Sequence, residues 1–250
     1  MLCNYHTHTK RCHHAVGEDR EYVESAIKTG LDVLGFSDHA PYVFDDGSNS
    51  YYRIDFDEIE DYCNSVQKLK KEYKNDIEIK FGFELEYYKG LHEREMDFLR
   101  QFNPEYIILG QHYVGGEYSG VHSHAFSDEA LLTRYVDECI EGLKTGDFTY
   151  LAHPDLAGFR CERSVYEREY SRLLTFAKDN DYPIEINGYG YVMHRHYPDR
   201  RLFELAEKIG NKVIIGIDAH DPNNISKSTF DGLHNLVKGL NLNIIEKLDI

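Results

Sequence analysis

Short apolar runs alternate with longer stretches of helical periodicity along the whole chain. β-Rich runs occur at 2–6, 32–39, 77–86, 106–112, 148–153, 183–187 and 212–218. Between them lie segments whose apolar residues recur every three to four positions, at 20–30, 57–73, 92–102, 128–146, 165–180, 200–210 and 230–240. In the first, Tyr22, Val23, Ala26 and Ile27 share one face and Gly30 is a natural stop. In the second, Ile59, Tyr62, Cys63, Val66, Leu69 and Tyr73 form one stripe.

The pattern amounts to seven strand-then-helix units, an α/β chain. Such alternation implies parallel strands joined by right-handed crossovers, in an open sheet or a closed barrel. No Ser/Gly-rich linker or composition shift divides residues 1–250, so one domain is expected. The loops at 44–53 and 114–127 are long and rich in Gly, Asp, Ser, Tyr and His, and read as excursions over one face.

Composition narrows the function classes. A formal net charge of −16 disfavours nucleic acid, whose phosphates call for a Lys/Arg excess, and also disfavours anionic lipid. A small anionic substrate remains compatible, because pocket charge and net charge are separate matters. The five cysteines are scattered without a CxxC pair, so reduced thiols are expected. No secretory signal or 18-residue apolar span is evident, and a cytoplasmic location without membrane contact is expected. Nothing in the sequence sets an oligomeric state.

The polar residues are informative by position. Nearly every predicted strand ends in a histidine or an acid: His6 and His8, Asp38 and His39, Glu84 and Glu86, His112, His153, then Asp218 and His220. Strands that all run one way bring these ends to one mouth, where the active sites of barrel folds lie. Imidazole and carboxylate suit Zn, Fe or Mn. Seven histidines with two or three carboxylates exceed the needs of one tetrahedral ion, so two or three divalent ions are expected, with a carboxylate such as Glu84 bridging. Multi-metal centres of this kind generate hydroxide at neutral pH, which points to a hydrolase. Each piece has a plainer reading: "SDH" (37–39) fits a helix N-cap and "AHPD" (152–155) a turn. The joint pattern outweighs these. Histidines 92, 122, 124, 194, 196 and 234 lie away from strand ends and are expected to be structural or exposed; of these, His194 and His196 could approach the mouth.

With "HTHTKRCHHA", "FSDHAPY", "GFELEYY", "GQHYVGG" and "DAH" in order from residue 6 to residue 220, the chain resembles the polymerase and histidinol phosphatase (PHP) phosphoesterases, and most of all their histidinol-phosphatase branch. The resemblance implies a distorted (β/α)7 barrel with a trinuclear metal site. It implies that His6, His8, Glu84 and Asp218 hold one metal, Glu84, His112 and His153 a second, and His14, His39 and His220 a third. His13 has no counterpart role. Arg160 matches an arginine that binds substrate phosphate in the family. A second arginine usually follows "EIN" (185–187) directly, but here Gly188 and Tyr189 stand there, so Arg195, His194 or His196 is the expected substitute.

The expected reaction is hydrolysis of a small phosphomonoester, L-histidinol phosphate foremost. Asp218 would orient or deprotonate the water, and His220 or Asp38 would assist the leaving alkoxide. Other phosphorylated small molecules or a phosphotyrosine substrate form the alternative within enzymes. From another class, the alternative is a non-catalytic metal-binding module, although no expected ligand is missing.

Overall fold

The computed structural model describes residues 1–250 except Val43, Asp46, Asn49, Ser127 and residues 159–161. The strands in chain order are β1 (Cys3–Asn4), β2 (Val33–His39), β3 (Glu78–Leu85), β4 (Tyr106–Leu109), β5 (Tyr113–Val114), β6 (Val121–His122), β7 (Tyr150–Leu151), β8 (Ile184–Asn187), β9 (Lys212–Gly216) and β10 (Asn243–Ile244). The helices are α1 (Asp19–Thr29), α2 (Ile59–Glu72), α3 (His92–Leu99), α4 (Glu129–Lys144), α5 (Arg163–Asp179), α6 (Gly188–Val192), α7 (Arg200–Ile209) and α8 (Lys227–Leu236).

Eight parallel strands form one sheet in the order β1-β2-β3-β4-β7-β8-β9-β10. The two ends of the seven-strand core meet above β1 and β9. There Thr7 bridges Ala219, with Ala219 N donating to His6 O at 3.1 Å and His8 N to Ala219 O at 3.0 Å. The result is the distorted seven-unit α/β barrel expected. Strands β2, β4 and β8 are buried along their full length; β4 accordingly reads as a continuous apolar run, while Ser37 and His39 of β2 and Glu185 and Asn187 of β8 turn into the barrel.

Side chains on alternate positions of a strand share a face. At the lower end that face carries Cys3, Tyr5, Val33, Tyr106, Ile108, Tyr150 and Ile214, which pack together as a core of their own. Tyr106 Oη donates at the centre of this core to Tyr5 O (2.8 Å) and Phe36 O (3.0 Å). Moving up the same columns, the residues become Ser37 and His39, Gly82 and Glu84, Glu185 and Asn187. The barrel is thus apolar below and chemical above. The larger core lies between the sheet and its helices and includes the Ile59, Tyr62, Val66 and Leu69 stripe of α2.

Several elements were not foreseen, the short helix α6 after β8 among them. β10 adds an eighth strand, pairing with Lys212 and Val213 at the lower edge of β9. The chain beyond it brings Leu248 into the lower core, where its N–H donates to Tyr5 Oη at 3.3 Å. The 114–127 excursion is a short hairpin, β5 pairing antiparallel with β6. Among the described residues no helix is long and apolar enough to cross a membrane.

Candidate metal centre

Register brings the first acids and imidazoles together. In the β2–β3 ladder His39 is the partner of Glu84, and His39 Nδ1 lies 3.2 Å from Glu84 Oε2. Glu84 is central to the cluster. His6 Nε2 and His8 Nε2 are each 3.4 Å from Oε2, while His153 Nε2 is 2.8 Å and His112 Nε2 3.7 Å from Oε1. Asp218 Oδ1 lies 3.5 Å from His6 Nε2, 3.0 Å from His8 Nε2 and 3.3 Å from His220 Nδ1. His220 Nε2 in turn lies 2.9 Å from His14 Nε2. All nine residues expected as metal ligands therefore occupy one cluster at the upper end of the barrel.

Two glycines make room for it. A Cβ at Gly110 would fall 1.8 Å from Glu84 Oε1, and one at Gly216 would fall 1.7 Å from Glu185 Oε1. Each carboxylate lies across a neighbouring strand that only glycine leaves open. His153 (φ 27°) and Asp218 (φ 53°) adopt left-handed backbone, strained for residues with a Cβ and typical of functional positions.

The outer atoms of the ring residues are held in place. His6 Nδ1 meets Glu185 Oε1 at 2.8 Å, His8 Nδ1 meets Asp38 Oδ1 at 3.2 Å, and His112 Nδ1 meets Glu86 Oε1 at 2.7 Å. Asn187 Nδ2 donates to Asp218 Oδ2 at 3.1 Å. Glu86 is gripped by Arg53, a fully buried cation whose Nη2 lies 2.5 Å from Glu86 Oε2 and 2.7 Å from Glu117 Oε2.

The inner atoms are different. His6 Nε2, His8 Nε2, His39 Nδ1, His153 Nδ1 and Asp218 Oδ1 are buried without a hydrogen-bond partner among the described residues. Native proteins rarely leave buried polar atoms unsatisfied, and five in one cluster of imidazoles and carboxylates fit divalent cations. His6, His8 and Glu84 lie within mutual reach of one ion, as do His6, His153 and Asp218, and as do His8, His39 and His220. Divalent metal is the cofactor this donor set takes. Electrostatics agree: burial opposes ionisation of Glu84, yet His39, His6 and His112 hold it well below the usual carboxylate range. Burial likewise opposes charge on His6, but Asp218, Glu185 and Glu84 raise its imidazole to about 10. The cluster is drawn together by negative charge that a cation would compensate.

A cavity of about 630 Å³ opens over these residues. Its lining includes His14, His39, Glu84, His112, Asp218 and His220, together with His196, and walls that the sequence reading missed: Tyr51, Tyr52, Tyr113, Tyr189, Tyr197, His122 and His124. The structural reading of His122 and His124 is therefore corrected, whereas His196 reaches the mouth as the sequence allowed. The hairpin delivers the first two, and His196, whose Nε2 is held at 2.9 Å by Leu156 O, arrives from the loop after α6. His194 is exposed on a left-handed turn and does not line the cavity, so its expected substrate contact falls to its neighbours. Arg195 does line it, with its guanidinium 6.0 Å from the Tyr189 ring centre and that ring 4.8 Å from His220. Arg160 lies outside the described residues. Asp38 is also corrected. Fully buried, it accepts from His39 N (2.8 Å), Thr9 N (3.0 Å) and Thr9 Oγ1 and orients His8, so it cannot reach a leaving group in the cavity. The signal for Glu185 and Asn187 was present in "IEIN", whose period of two puts both on one face of β8.

Comparison with known proteins agrees with this geometry. A protein of Deinococcus radiodurans named probable histidinol-phosphatase is 24% identical over 241 residues, covering 90% of this chain and 88% of its own. One of Schizosaccharomyces pombe with the same name is 23% identical over 256 residues, covering 90% and 82%. The crystal structure of histidinol phosphate phosphatase from Lactococcus lactis, complexed with Zn, L-histidinol and phosphate, superposes with a TM-score of 0.78 at 17% identity, covering 100% of this chain and 99% of that one. The PHP domain matches residues 4–188, about three quarters of the sequence and every expected ligand up to His153, and on that match the chain belongs to the PHP domain family.

Proposed function

We propose that the chain is a metal-dependent phosphomonoesterase acting on a small phosphorylated molecule, most specifically L-histidinol phosphate, which it cleaves to L-histidinol and phosphate. The observation that carries the reading is the set of five buried donor atoms without a hydrogen-bond partner among the described residues, in the His/Asp/Glu cluster at the floor of the cavity that His39, Glu84 and Asp218 line. The names of the relatives and the ligands in the Lactococcus lactis structure support the substrate. Two or three ions of Zn, Fe or Mn are proposed, with His6, His8, Glu84 and Asp218 holding one, Glu84, His112 and His153 a second, and His14, His39 and His220 a third. Such ions supply Lewis acidity at phosphorus and hydroxide at neutral pH.

The chain's own residues do the rest. Glu185, Asp38, Glu86 and Asn187 orient the ligand side chains, the role outer partners serve in metal sites. Arg195 neutralises charge on the phosphoryl oxygens, where transition states of phosphoryl transfer need it. The Tyr52, Tyr113 and Tyr189 rings wall the space for the organic group. The Asp218 carboxylate takes up the proton of the attacking water as the P–O ester bond breaks, and that same proton passes by way of His220, whose Nδ1 lies 3.3 Å from Asp218, to the leaving alkoxide. A cytoplasmic place in histidine biosynthesis goes with that substrate, and residues 1–250 would act as one unit.

The test is phosphate release after chelation and restoration of Zn, Mn or Fe, across a panel of histidinol phosphate, nucleotides, sugar phosphates and a phosphotyrosine peptide. Turnover is expected to be fastest on histidinol phosphate. No release from any phosphomonoester would refute the class, and a faster alternative would refute the substrate. Arg195→Ala should raise KM for phosphorylated substrates; an unchanged KM removes its role.

A further inference from the structure

A second cavity, of about 490 Å³, lies between the hairpin loop, the segment before α3 and helix α4. It shares no lining residue with the histidine-rich mouth. Its carboxylates are Glu117, Asp137, Glu138 and Glu141, against the cations Lys89 and Arg134. Both cations are engaged, Lys89 with Glu141 at 3.4 Å and Arg134 with Glu138 at 2.9 Å, and Asp137 pairs with Arg172. Glu117 has only a share of one. Its Oε2 lies 2.7 Å from Arg53 Nη2, which also holds Glu86, so two buried carboxylates face a single guanidinium.

The remaining oxygen, Glu117 Oε1, is buried and has no hydrogen-bond partner among the described residues, and the same is true of Tyr88 Oη. Both residues line this cavity, at 9% and 5% exposure. A carboxylate oxygen and a phenolic oxygen without partners on the lining of one cavity match a group rich in donors and positively charged. Phe44 and Tyr118 stand edge to face, 5.0 Å apart, and supply aromatic surface of the kind that attracts cations. An anion would meet the carboxylate excess, and a neutral molecule would leave Glu117 uncompensated. The volume is that of a small-molecule pocket.

We propose that this cavity is a binding site for a small organic cation, a primary ammonium on an aromatic or apolar body, with the ammonium donating to Glu117 Oε1 and Tyr88 Oη. The site is separate from the metal centre and stands whether or not the chain is a phosphatase.

Calorimetric titration of the metal-loaded protein with tyramine and with tyrosol, the same ring and arm carrying a hydroxyl in place of the amine, tests it. Tyramine is expected to bind at least tenfold more tightly than tyrosol. Glu117→Gln should weaken tyramine at least tenfold and leave tyrosol unchanged. Should that variant fail to fold, Tyr118→Ala removes a wall that is 58% exposed and should weaken tyramine at least threefold. No tyramine binding at millimolar concentration, equal binding of the two compounds, or an affinity unchanged in the folded variants overturns the proposal.

Discussion

Replacing Arg53 by Met removes the cation between two buried carboxylates while keeping much of its bulk. Arg53 is fully buried and bonds Glu86 Oε2 at 2.5 Å, Glu117 Oε2 at 2.7 and 2.9 Å, and Ala40 O at 3.2 Å. Its guanidinium also lies 5.3 Å from the Tyr42 ring centre and 5.6 Å from that of Tyr52. Breaking a buried ion pair by deleting one partner costs about 3–5 kcal/mol, because the remaining charge is left uncompensated. At roughly 2–4 °C per kcal/mol for a chain of this size, the melting temperature should fall by about 6–20 °C. A second effect follows from geometry. Glu86 fixes His112 through a 2.7 Å contact to Nδ1, so a displaced Glu86 loosens a ring of the metal cluster. Loss of such an outer partner lowers metal affinity roughly 10–100-fold. Scanning calorimetry and competitive zinc titration read the two effects separately. Adding Glu117→Gln to the Met variant should recover at least about 1 kcal/mol, since one unpaired buried charge disappears. A Met variant that melts within about 2 °C of the parent and binds zinc within twofold would refute the argument, since both losses rest on the same guanidinium.

Gly110→Ala should displace Glu84, whose Oε1 occupies the space of the new Cβ, and zinc titration should find weaker binding with a stability loss of about 1–3 kcal/mol. Leu248→Ala, at the opposite end of the barrel, should cost about 2–5 kcal/mol in urea denaturation and leave the metal content of the purified protein unchanged. Chelation should lower the melting temperature and zinc should restore it, by about 2.7 kcal/mol at a hundredfold excess over the dissociation constant. Burial opposes ionisation of Glu105, but Lys70 at 2.5 Å, Phe81 N at 3.0 Å and Lys80 at 3.3 Å hold its carboxyl below the ordinary value. A lowered folded value stabilises above the unfolded one, about 4.3, and that contribution is lost as pH falls through the folded value. The gap in melting temperature between the parent and Glu105→Gln should therefore be widest near neutrality and close below about pH 4; a gap constant from pH 3 to 7 would count against the pairing.

Much of this was legible in the sequence because two periodicities carry it. The stripe of α2 and the capped turns announce helices, and runs such as "YIIL" (106–109) announce buried strands. A parallel barrel then turns residues far apart in sequence, such as His6 and His220, into neighbours by topology alone. What stayed hidden has no period. β10 pairs through two residues, too short for any pattern. Tyr52 and Tyr197 come from loops, Tyr113 from a two-residue strand and Tyr189 from a five-residue helix, all too short or irregular for a rule of spacing to orient a side chain. The choice between His194 and His196 turned on one left-handed residue. Arg53 reads as one more surface cation until its partners 33 and 64 positions away are known.

Barrel closure and assembly of the centre are one event here. The bridge of Thr7 to Ala219 is flanked by His6 and His8 on one strand end and by Asp218 and His220 on the other. The two backbone bonds that seal the barrel are made by His6 O and His8 N, so they also fix the spacing of the side chains beside them. Val16 N adds a third bond to His220 O at 2.8 Å, tying the loop that carries His14 to the same seam. Pulling apart β1 and β9 would separate His6 and His8 from Asp218 without breaking a contact inside either half. In the other direction, a cation shared by His6, His8, Glu84 and Asp218 would fasten the seam from within, since Glu84 belongs to β3 and Asp218 to the end of β9. A chain closed by so few backbone bonds gains its last fastening from the centre it builds, which is why metal is expected to stabilise the fold as well as serve the chemistry.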